Sequence, residues 1–362
     1  MQTPRRAPIA VLLWLALMLA GCGTALSPQP TPTIAPDTRT PTMGAGLAPA
    51  APTTPPAATG VATPPRKTQI IERTAGFPRK IQAVNGIVEI RALPQRIHTL
   101  SVGYDEITFR LVDPGRIAAV GQSTADPNLS NVADLAAPLP KVGRDAEQIL
   151  ALRPDLVVAS PFADKDLVRQ LMNAGITVAV TDLVSAVNGD AENIRLLAYL
   201  YGEEARGEAL VAEVEARLAK VDAVVARHRT ETQSRVLFLQ NNAYVSGSGS
   251  TGDGIITRAG GVNVAAAAGI TGTKQISAES IIALNPDYIV LDGTPETNPA
   301  GFGQVTRNSA LADIPAVKNH RVVGIRGTYL STLSQWNVRG IEELVNILYP
   351  GQLALSRPKE SP

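Results

Sequence analysis

One fourteen-residue pattern runs through this chain twice. The segment Asp145-Ala146-Glu147-Gln148-Ile149-Leu150-Ala151-Leu152-Arg153-Pro154-Asp155-Leu156-Val157-Val158 returns as Ser277-Ala278-Glu279-Ser280-Ile281-Ile282-Ala283-Leu284-Asn285-Pro286-Asp287-Tyr288-Ile289-Val290, with eight positions identical at an offset of 132 residues. That spacing is too long for a solenoid period and suits one domain-sized lobe. Each copy opens on a residue able to cap a helix, runs a short apolar helix, meets a proline that cannot extend it, and enters a branched apolar strand. The chain therefore reads as two related α/β halves. Two such lobes leave a cleft, and clefts bind ligands.

The N-terminal end bears on location. Arg5 and Arg6 precede an apolar run from Ile9 to Ala20, closed by Gly21 and Cys22. This charged, apolar, small-residue order reads as a secretory leader, and the run is short for a bilayer span. Cys22 is the only cysteine, so no internal disulfide can form. Its place after Leu-Ala-Gly resembles the lipobox of bacterial lipoproteins, which implies acylation and anchoring at the outer face of a membrane. From Ser27 to Pro65 the chain is mostly Pro, Thr and Ala, a tether of 39 residues reaching at most about 120 Å. The expected division is a leader at 1–21, an acylated cysteine and linker at 22–66, a first lobe at 67–190, an interlobe helix at 191–228, a second lobe at 229–350 and a tail at 351–362. The formal charge of +1 becomes −1 once the leader's two arginines are removed, so nothing favours nucleic acid.

Asn85-Gly86 between Ile81–Val84 and Ile87–Ile90 predicts a hairpin with a two-residue turn. Short apolar strands over Arg96–Leu100, Ile117–Val120, Leu156–Ala159 and Thr177–Val180 alternate with helical stretches, the rhythm of a parallel sheet. Ala191–Tyr201 is helical by pattern, Gly202 punctuates it, and Glu203–His228 repeats apolar residues at Leu210, Val214, Leu218, Val221 and Val225. A helix of that length, about 39 Å, spans both lobes and permits less hinge motion than flexible strands. Ligand loops belong at strand ends. In the first lobe these are Ser101–Asp105, Gln122–Thr124, Val142–Arg144 and Ser160–Phe162; in the second, Asn241–Tyr244, Gly272–Lys274 and Thr328–Tyr329, with Trp336 near the last.

Several chemistries find no support. His98, His228 and His320 stand far apart without zinc-site spacing. Gly247-Ser248-Gly249-Ser250-Thr251-Gly252 matches a dinucleotide fingerprint between strand Arg235–Leu239 and a helix starting near Asp253, but the helix is cut short by Gly260-Gly261 and the match is isolated. There is no Gly-x-Ser-x-Gly elbow and no His-Glu-x-x-His, so the chain does not read as an enzyme.

From Phe77 to Leu348 the chain resembles the class III substrate-binding proteins of bacterial ABC importers for iron-siderophore complexes, haem and cobalamin. The resemblance rests on Pro94-Gln95-Arg96-Ile97, the paired Ala-Glu-x-Ile-x-Ala-Leu-x-Pro-Asp segments, the long interlobe helix, Arg258-Ala259-Gly260-Gly261-Val262-Asn263-Val264, and Ala316-Val317-Lys318-Asn319-His320-Arg321-Val322-Val323. It implies two Rossmann-like lobes joined by a backbone helix, a monomer that delivers a metal chelate to a permease dimer, and no cofactor of its own. It also implies that Glu147 and Glu279 each offer a surface carboxylate to permease arginines, a two-point register on a dimeric partner. Ligand contacts are expected from Tyr104, Arg144, Phe162, Tyr244, Lys274, Tyr329 and Trp336, with Arg326 as a further cation. Haem-binding relatives that use an axial residue often place it just before the first Ala-Glu, where this chain has Lys141-Val142-Gly143-Arg144; Tyr104, Tyr244 or His98 would have to substitute. The Gly/Ser-rich turn after Tyr244 looks like that of haem-binding relatives, and the expected cargo is a ferric siderophore or haem, with cobalamin as the alternative. A lipid-anchored sensor built on the same lobes is the second class of function.

Overall fold

The first lobe is built outward from five short strands, most of them buried on both faces. The structure, a computed structural model, describes residues 68–183, 190–228, 232–240 and 243–355. Cys22, the linker, and Asn241 and Asn242 of the expected ligand loops lie outside them. An antiparallel meander comes first, β1 (Gln69–Glu72), β2 (Arg79–Ala83) and β3 (Gly86–Ile90). The predicted hairpin is present one residue earlier than expected: Ala83 pairs with Gly86, so Val84-Asn85 forms the turn. Asn85 is drawn out of the ladder because its amide clasps the lobe's edge strand, donating to Val178 O at 2.9 Å and accepting from Val180 N at 3.0 Å.

The lobe continues through β4 (Ile97–Thr99), α1 (Val102–Leu111), β5 (Ile117–Gly121), α2 (Ala133–Ala136), β6 (Lys141–Val142), α3 (Ala146–Ala151), β7 (Leu156–Ala159), α4 (Lys165–Asn173) and β8 (Thr177–Val180). Its sheet runs β6-β5-β4-β7-β8, all parallel. Covered on both faces, β5, β7 and most of β8 are continuous apolar runs rather than alternating ones, while β4 buries His98 and Thr99 and the edge strand β6 exposes Lys141. The second lobe follows α5 (Asp190–Tyr201) and α6 (Glu204–Arg227). It comprises β9 (Arg235–Gln240), β10 (Tyr244–Ser246), α7 (Thr251–Arg258), β11 (Val262–Asn263), α8 (Val264–Ala267), β12 (Thr273–Gln275), α9 (Ala278–Leu284), β13 (Tyr288–Asp292), α10 (Pro299–Thr306), α11 (Pro315–Lys318), β14 (Val322–Ile325), α12 (Gly327–Leu330) and α13 (Asn337–Leu348). Strand order is β12-β10-β9-β13-β14, with β11 beside the start of β9; β10 and β12 run antiparallel and the rest parallel.

The connector is a helical hairpin. Gly202, at φ 74°, ends α5 in a left-handed turn that a Cβ would strain. Where α6 folds back on α5, a Cβ on Gly207 would stand 2.5 Å from that of Ala198, so only glycine allows the crossing. The predicted apolar stripe of α6 is buried at Leu210, Val214, Leu218 and Val221, with Val224 replacing Val225 at the last step. One hydrophobic core runs from the inner face of the first sheet through α5 and α6 to the inner face of the second, while each outer face has its own cluster.

The duplication is structural down to single backbone conformations. Asp145 caps α3 by accepting from Gln148 N at 2.9 Å, and Ser277 caps α9 by accepting from Ser280 N at 3.3 Å. Arg153 (φ 48°) and Asn285 (φ 44°) stand at the same step of the repeat, both left-handed, just before the proline. Arg96 donates through Nε to Leu152 O (2.9 Å) and Arg153 O (3.1 Å); Arg235 donates through Nη2 to Leu284 O (2.7 Å) and through Nε to Asn285 O (3.2 Å). The repeated aspartates answer in kind, Asp155 accepting from Arg96 N (3.0 Å) and Asp287 from Arg235 N (2.9 Å).

Candidate functional site

Parallel strands leave their ligand loops at their C-terminal ends, and both lobes turn those ends toward one cleft. On the first-lobe side a cavity of about 650 Å³ is walled by the ends of β4, β5 and β7, the first turn of α1, the Val142–Arg144 loop and, from the second lobe, Thr328 and Ser331–Leu333. An adjoining cavity of about 220 Å³ shares Leu129, Thr328 and Ser331 with it and adds Asn128, Phe238, Gln240, Asp292 and Gly327. The cleft is thus made by both lobes.

The expected contacts separate into three groups. Phe162 is 96% exposed on the lip of the larger cavity, and Arg144 lines the same wall; neither side chain makes a hydrogen bond or ion pair among the described residues. Tyr244 and Lys274 lie outside both cleft cavities, exposed on the antiparallel β10–β12 ribbon at the second lobe's edge, where Tyr244 pairs with Gln275 and Lys274 with Val245. Tyr104 and Trp336 are buried, 2% and 5% exposed, although Tyr104 also backs the wall of the larger cavity. The predicted loop Ser101–Asp105 is instead the entry to α1, since Ser101 takes the extended N-cap conformation, and this turns the Tyr104 ring inward to donate its hydroxyl to Thr181 O. Tyr329 is half-buried and stacks on Trp336, centroids 6.1 Å apart. Arg326 bridges the lobes, donating to Pro127 O at 2.6 Å, and lies over the Tyr329 ring.

His98 also lines the larger cavity but presents no open nitrogen. Its Nδ1 donates to Ala119 O at 3.0 Å, and Nε2 is buried without a partner. Burial pushes its pKa down, so the ring is neutral at pH 7. Among the described residues no three His, Cys, Asp or Glu side chains converge on a metal-sized space.

The floor of the cleft holds residues that the sequence reading did not single out. Glu106, buried in α1, accepts at Oε1 from Asn131 N and Nδ2 (both 2.8 Å), and at Oε2 from Thr332 Oγ1 (2.5 Å) and Ser334 Oγ (2.6 Å). Asn131 and Thr328 pair reciprocally across the lobes at 2.9 and 2.6 Å. Burial pushes the Glu106 carboxyl up, and the hydroxyl and amide donors pull against it. Beside it Asp105 accepts from Thr99 and Thr124 hydroxyls at 2.6 Å, yet burial still raises its carboxyl to about 7. The signal was two adjacent acids, Asp105 and Glu106, in a stretch whose neighbours Tyr104, Ile107, Phe109 and Leu111 are apolar.

The glycine-rich hexapeptide is occupied by its own chain. Ser250 caps α7, accepting from Asp253 N at 3.2 Å, and Asp253 Oδ2 accepts from Gly249 N at 3.1 Å. An acid of the helix's first turn thus takes the place a phosphate would need. The strand β10 also intervenes between β9 and the turn, where the dinucleotide fold requires direct succession.

The family model described as periplasmic binding protein matches residues 97–329, from the first parallel strand to the cleft wall at α12. The chain belongs to that family. It is 28% identical over 290 residues to the uncharacterized ABC transporter substrate-binding lipoprotein YvrC of Bacillus subtilis, covering 77% of this chain and 88% of the relative. It is 27% identical over 271 residues to a cobalamin-binding protein of Halobacterium salinarum, covering 72% and 73%. The solved periplasmic heme-binding protein RhuT from Roseiflexus sp. RS-1, in apo form, superposes with a TM-score of 0.61 at 29% identity, covering 72% of this chain and 99% of that one. The two-lobed class III architecture and the role of substrate-binding protein of an ABC importer follow, with permease and ATPase as partners and a small ligand as cargo. The family consists of extracytoplasmic transport proteins rather than enzymes. No helix among the described residues is long and apolar enough to cross a membrane.

Proposed function

We propose that this chain carries a corrinoid of the cobalamin class to its importer, held by hydrogen bonds and apolar contact without a metal–protein bond. The observation that carries this reading is the chemistry of the cleft. The two linings together hold one cation, Arg144, and three acids, Glu106, Asp164 and Asp292; the rest is hydroxyls, the side-chain amides of Gln122, Asn128 and Gln240, the neutral His98, backbone and apolar groups. A ferric catecholate bears several negative charges and calls for a cluster of arginines; a haem held axially calls for an open Tyr or His. A corrinoid brings its own axial base and a rim of neutral amides, which hydroxyls and peptide groups satisfy. Likeness to the cobalamin-binding protein of Halobacterium salinarum supports the same class.

Haem or a ferric siderophore is the second reading. It is favoured by the likeness to the heme-binding protein of Roseiflexus and by Arg144, which is placed to pair with one carboxylate. Equilibrium dialysis of the chain against cyanocobalamin, haemin and a panel of ferric siderophores, with visible spectra of each, separates the two. Saturable uptake of cobalamin with its spectrum unshifted is expected; saturable haemin with a displaced Soret band sinks the corrinoid reading.

Delivery is assigned to Glu147 and Glu279, both exposed in the first turns of α3 and α9, at the same step of the repeat. A lipid on Cys22 and the Pro/Thr/Ala tether complete the proposal. Cys22→Ala should move the chain from the membrane to the soluble fraction, and a variant that still sediments with membranes argues against the anchor.

A further inference from the structure

The six residues Thr332-Leu333-Ser334-Gln335-Trp336-Asn337 form a strap from the cleft rim to the first residue of α13. Its near end is tied to α1 through Glu106, its middle to α5 by Asn193 Nδ2 donating to Leu333 O at 3.3 Å, and its far end to α5 by Asn337 Nδ2 donating to Asp190 Oδ1 at 2.9 Å. Asp190 is the first residue of α5, so this last bond joins the start of the connector to the start of the second lobe's final helix. Both side chains are 1% exposed. The bond leaves the other acceptor of each group, Asp190 Oδ2 and Asn337 Oδ1, buried and without a hydrogen-bond partner among the described residues. Two bare acceptors at the ends of planar groups already joined by one bond are short of a single hydrogen.

We propose that Asp190 is protonated in the folded chain and donates from Oδ2 to Asn337 Oδ1, closing a two-bond acid–amide ring that pins the strap to the interlobe connector. One proton satisfies both orphaned atoms, and no other group need be supplied. The surroundings agree: burial raises the Asp190 carboxyl well above the usual range, the Asn337 amide is the single opposing influence, and no charged side chain acts on it from α5, α13 or the strap. An ionised carboxylate here would sit desolvated with one hydrogen bond, a costly state that burial resolves by neutralising the group. The ring is independent of which ligand the cleft takes.

The test is the pH dependence of stability, measured by denaturant unfolding of the full chain and of Asp190→Asn, whose amide donates where the acid did. In the unfolded chain Asp190 ionises near its ordinary value of about 4. The pair's contribution is therefore whole below about pH 4 and is lost as pH rises from there toward the folded value. Between pH 5 and 7 the unfolding constant of the wild type, divided by that of Asp190→Asn, is expected to rise by up to tenfold per pH unit. The exchange Asp190→Asn with Asn337→Asp puts the acid on the other side of the ring and should restore that rise. A flat ratio, a ratio that falls with pH, or an exchange that does not restore the rise overturns the proposal. Should the variants fail to fold, a pH titration of the carboxyl-13C spectrum of aspartate-labelled wild type must show one aspartate besides Asp105 that ionises above the ordinary carboxylate range, and its absence is equally decisive.

Discussion

The two lobes share their outer ends and differ where they face each other. At the outer end each has a capped helix, a glutamate in its first turn, a left-handed residue, a proline, and an arginine at the start of the lobe's first parallel strand clasping the helix's last carbonyls. At the cleft the first lobe offers open loops, Arg144 and an exposed phenylalanine, whereas the second closes its sheet edge with the antiparallel ribbon β10–β12 and contributes hydroxyls and Asp292. On the proposed docking, what was duplicated is the frame that would meet a two-fold partner, and what diverged is the surface that would meet an asymmetric ligand. Proteins that dock on a permease dimer need the first to stay alike and the second to be free to change.

The sharpest way to break this comparison is to remove the shared carboxylates. Glu147→Ala with Glu279→Ala is expected to abolish uptake in whole cells while leaving the dialysis affinity unchanged, and the single variants should lose comparable shares because the two frames match. A double variant that imports normally, or one that binds cargo more weakly, breaks the assignment of the repeat to docking. Surface charges of this kind set encounter and orientation rather than fold.

The next largest effect belongs to the seam beneath the cleft. Glu106→Ala strips four donors of their acceptor in a buried site, which is expected to cost about 3 kcal/mol of stability. Glu106→Gln keeps an acceptor and should lose less. Calorimetry of the two variants decides it; equal small losses would mean that Asn131, Thr332 and Ser334 find water instead.

Fold and site were legible in the sequence to different depths, for a physical reason. Parallel strands buried on both faces carry unbroken apolar runs, so Leu156–Ala159 and Thr177–Val180 could be read residue for residue. The repeat revealed itself because helix caps, prolines and aspartates serve local backbone geometry that one sequence window contains. The cleft was harder. Ser101–Asp105 looks like a loop until the extended Ser101 starts a helix there, and that helix buries Tyr104 and turns Glu106 onto partners 226 and 228 residues away. Tyr244 and Lys274 stand at a strand end by sequence, but the antiparallel ribbon carries them off the cleft. Contacts between distant segments leave no period and no spacing to count.

Phe162 sharpens the ligand half of the comparison. Exposed almost completely, it contributes little to folding, so Phe162→Ala should leave the melting temperature unchanged. If a flat ligand stacks on it, affinity should fall by about 1 kcal/mol, roughly fivefold. Unchanged affinity would move the ligand toward Asp292 and Gln240 on the opposite wall.

The smallest expected effect tests the frame itself. Arg96 and Arg235 are both exposed and both bond carbonyls at the end of a short helix, so Arg96→Ala and Arg235→Ala should each cost about 0.5–1 kcal/mol. The two losses should agree within the error of a denaturant titration, and they should add in the double variant because the clasps share no partner. A second, functional readout follows from the same geometry. Each clasp fixes the left-handed step that aims α3 or α9, and with it Glu147 or Glu279; loosening either should lower uptake more than it lowers stability. An arginine whose loss unsettles the lobe but leaves transport intact would show that the duplicated frame serves folding alone, and that the likeness of the two tips has no bearing on the partner.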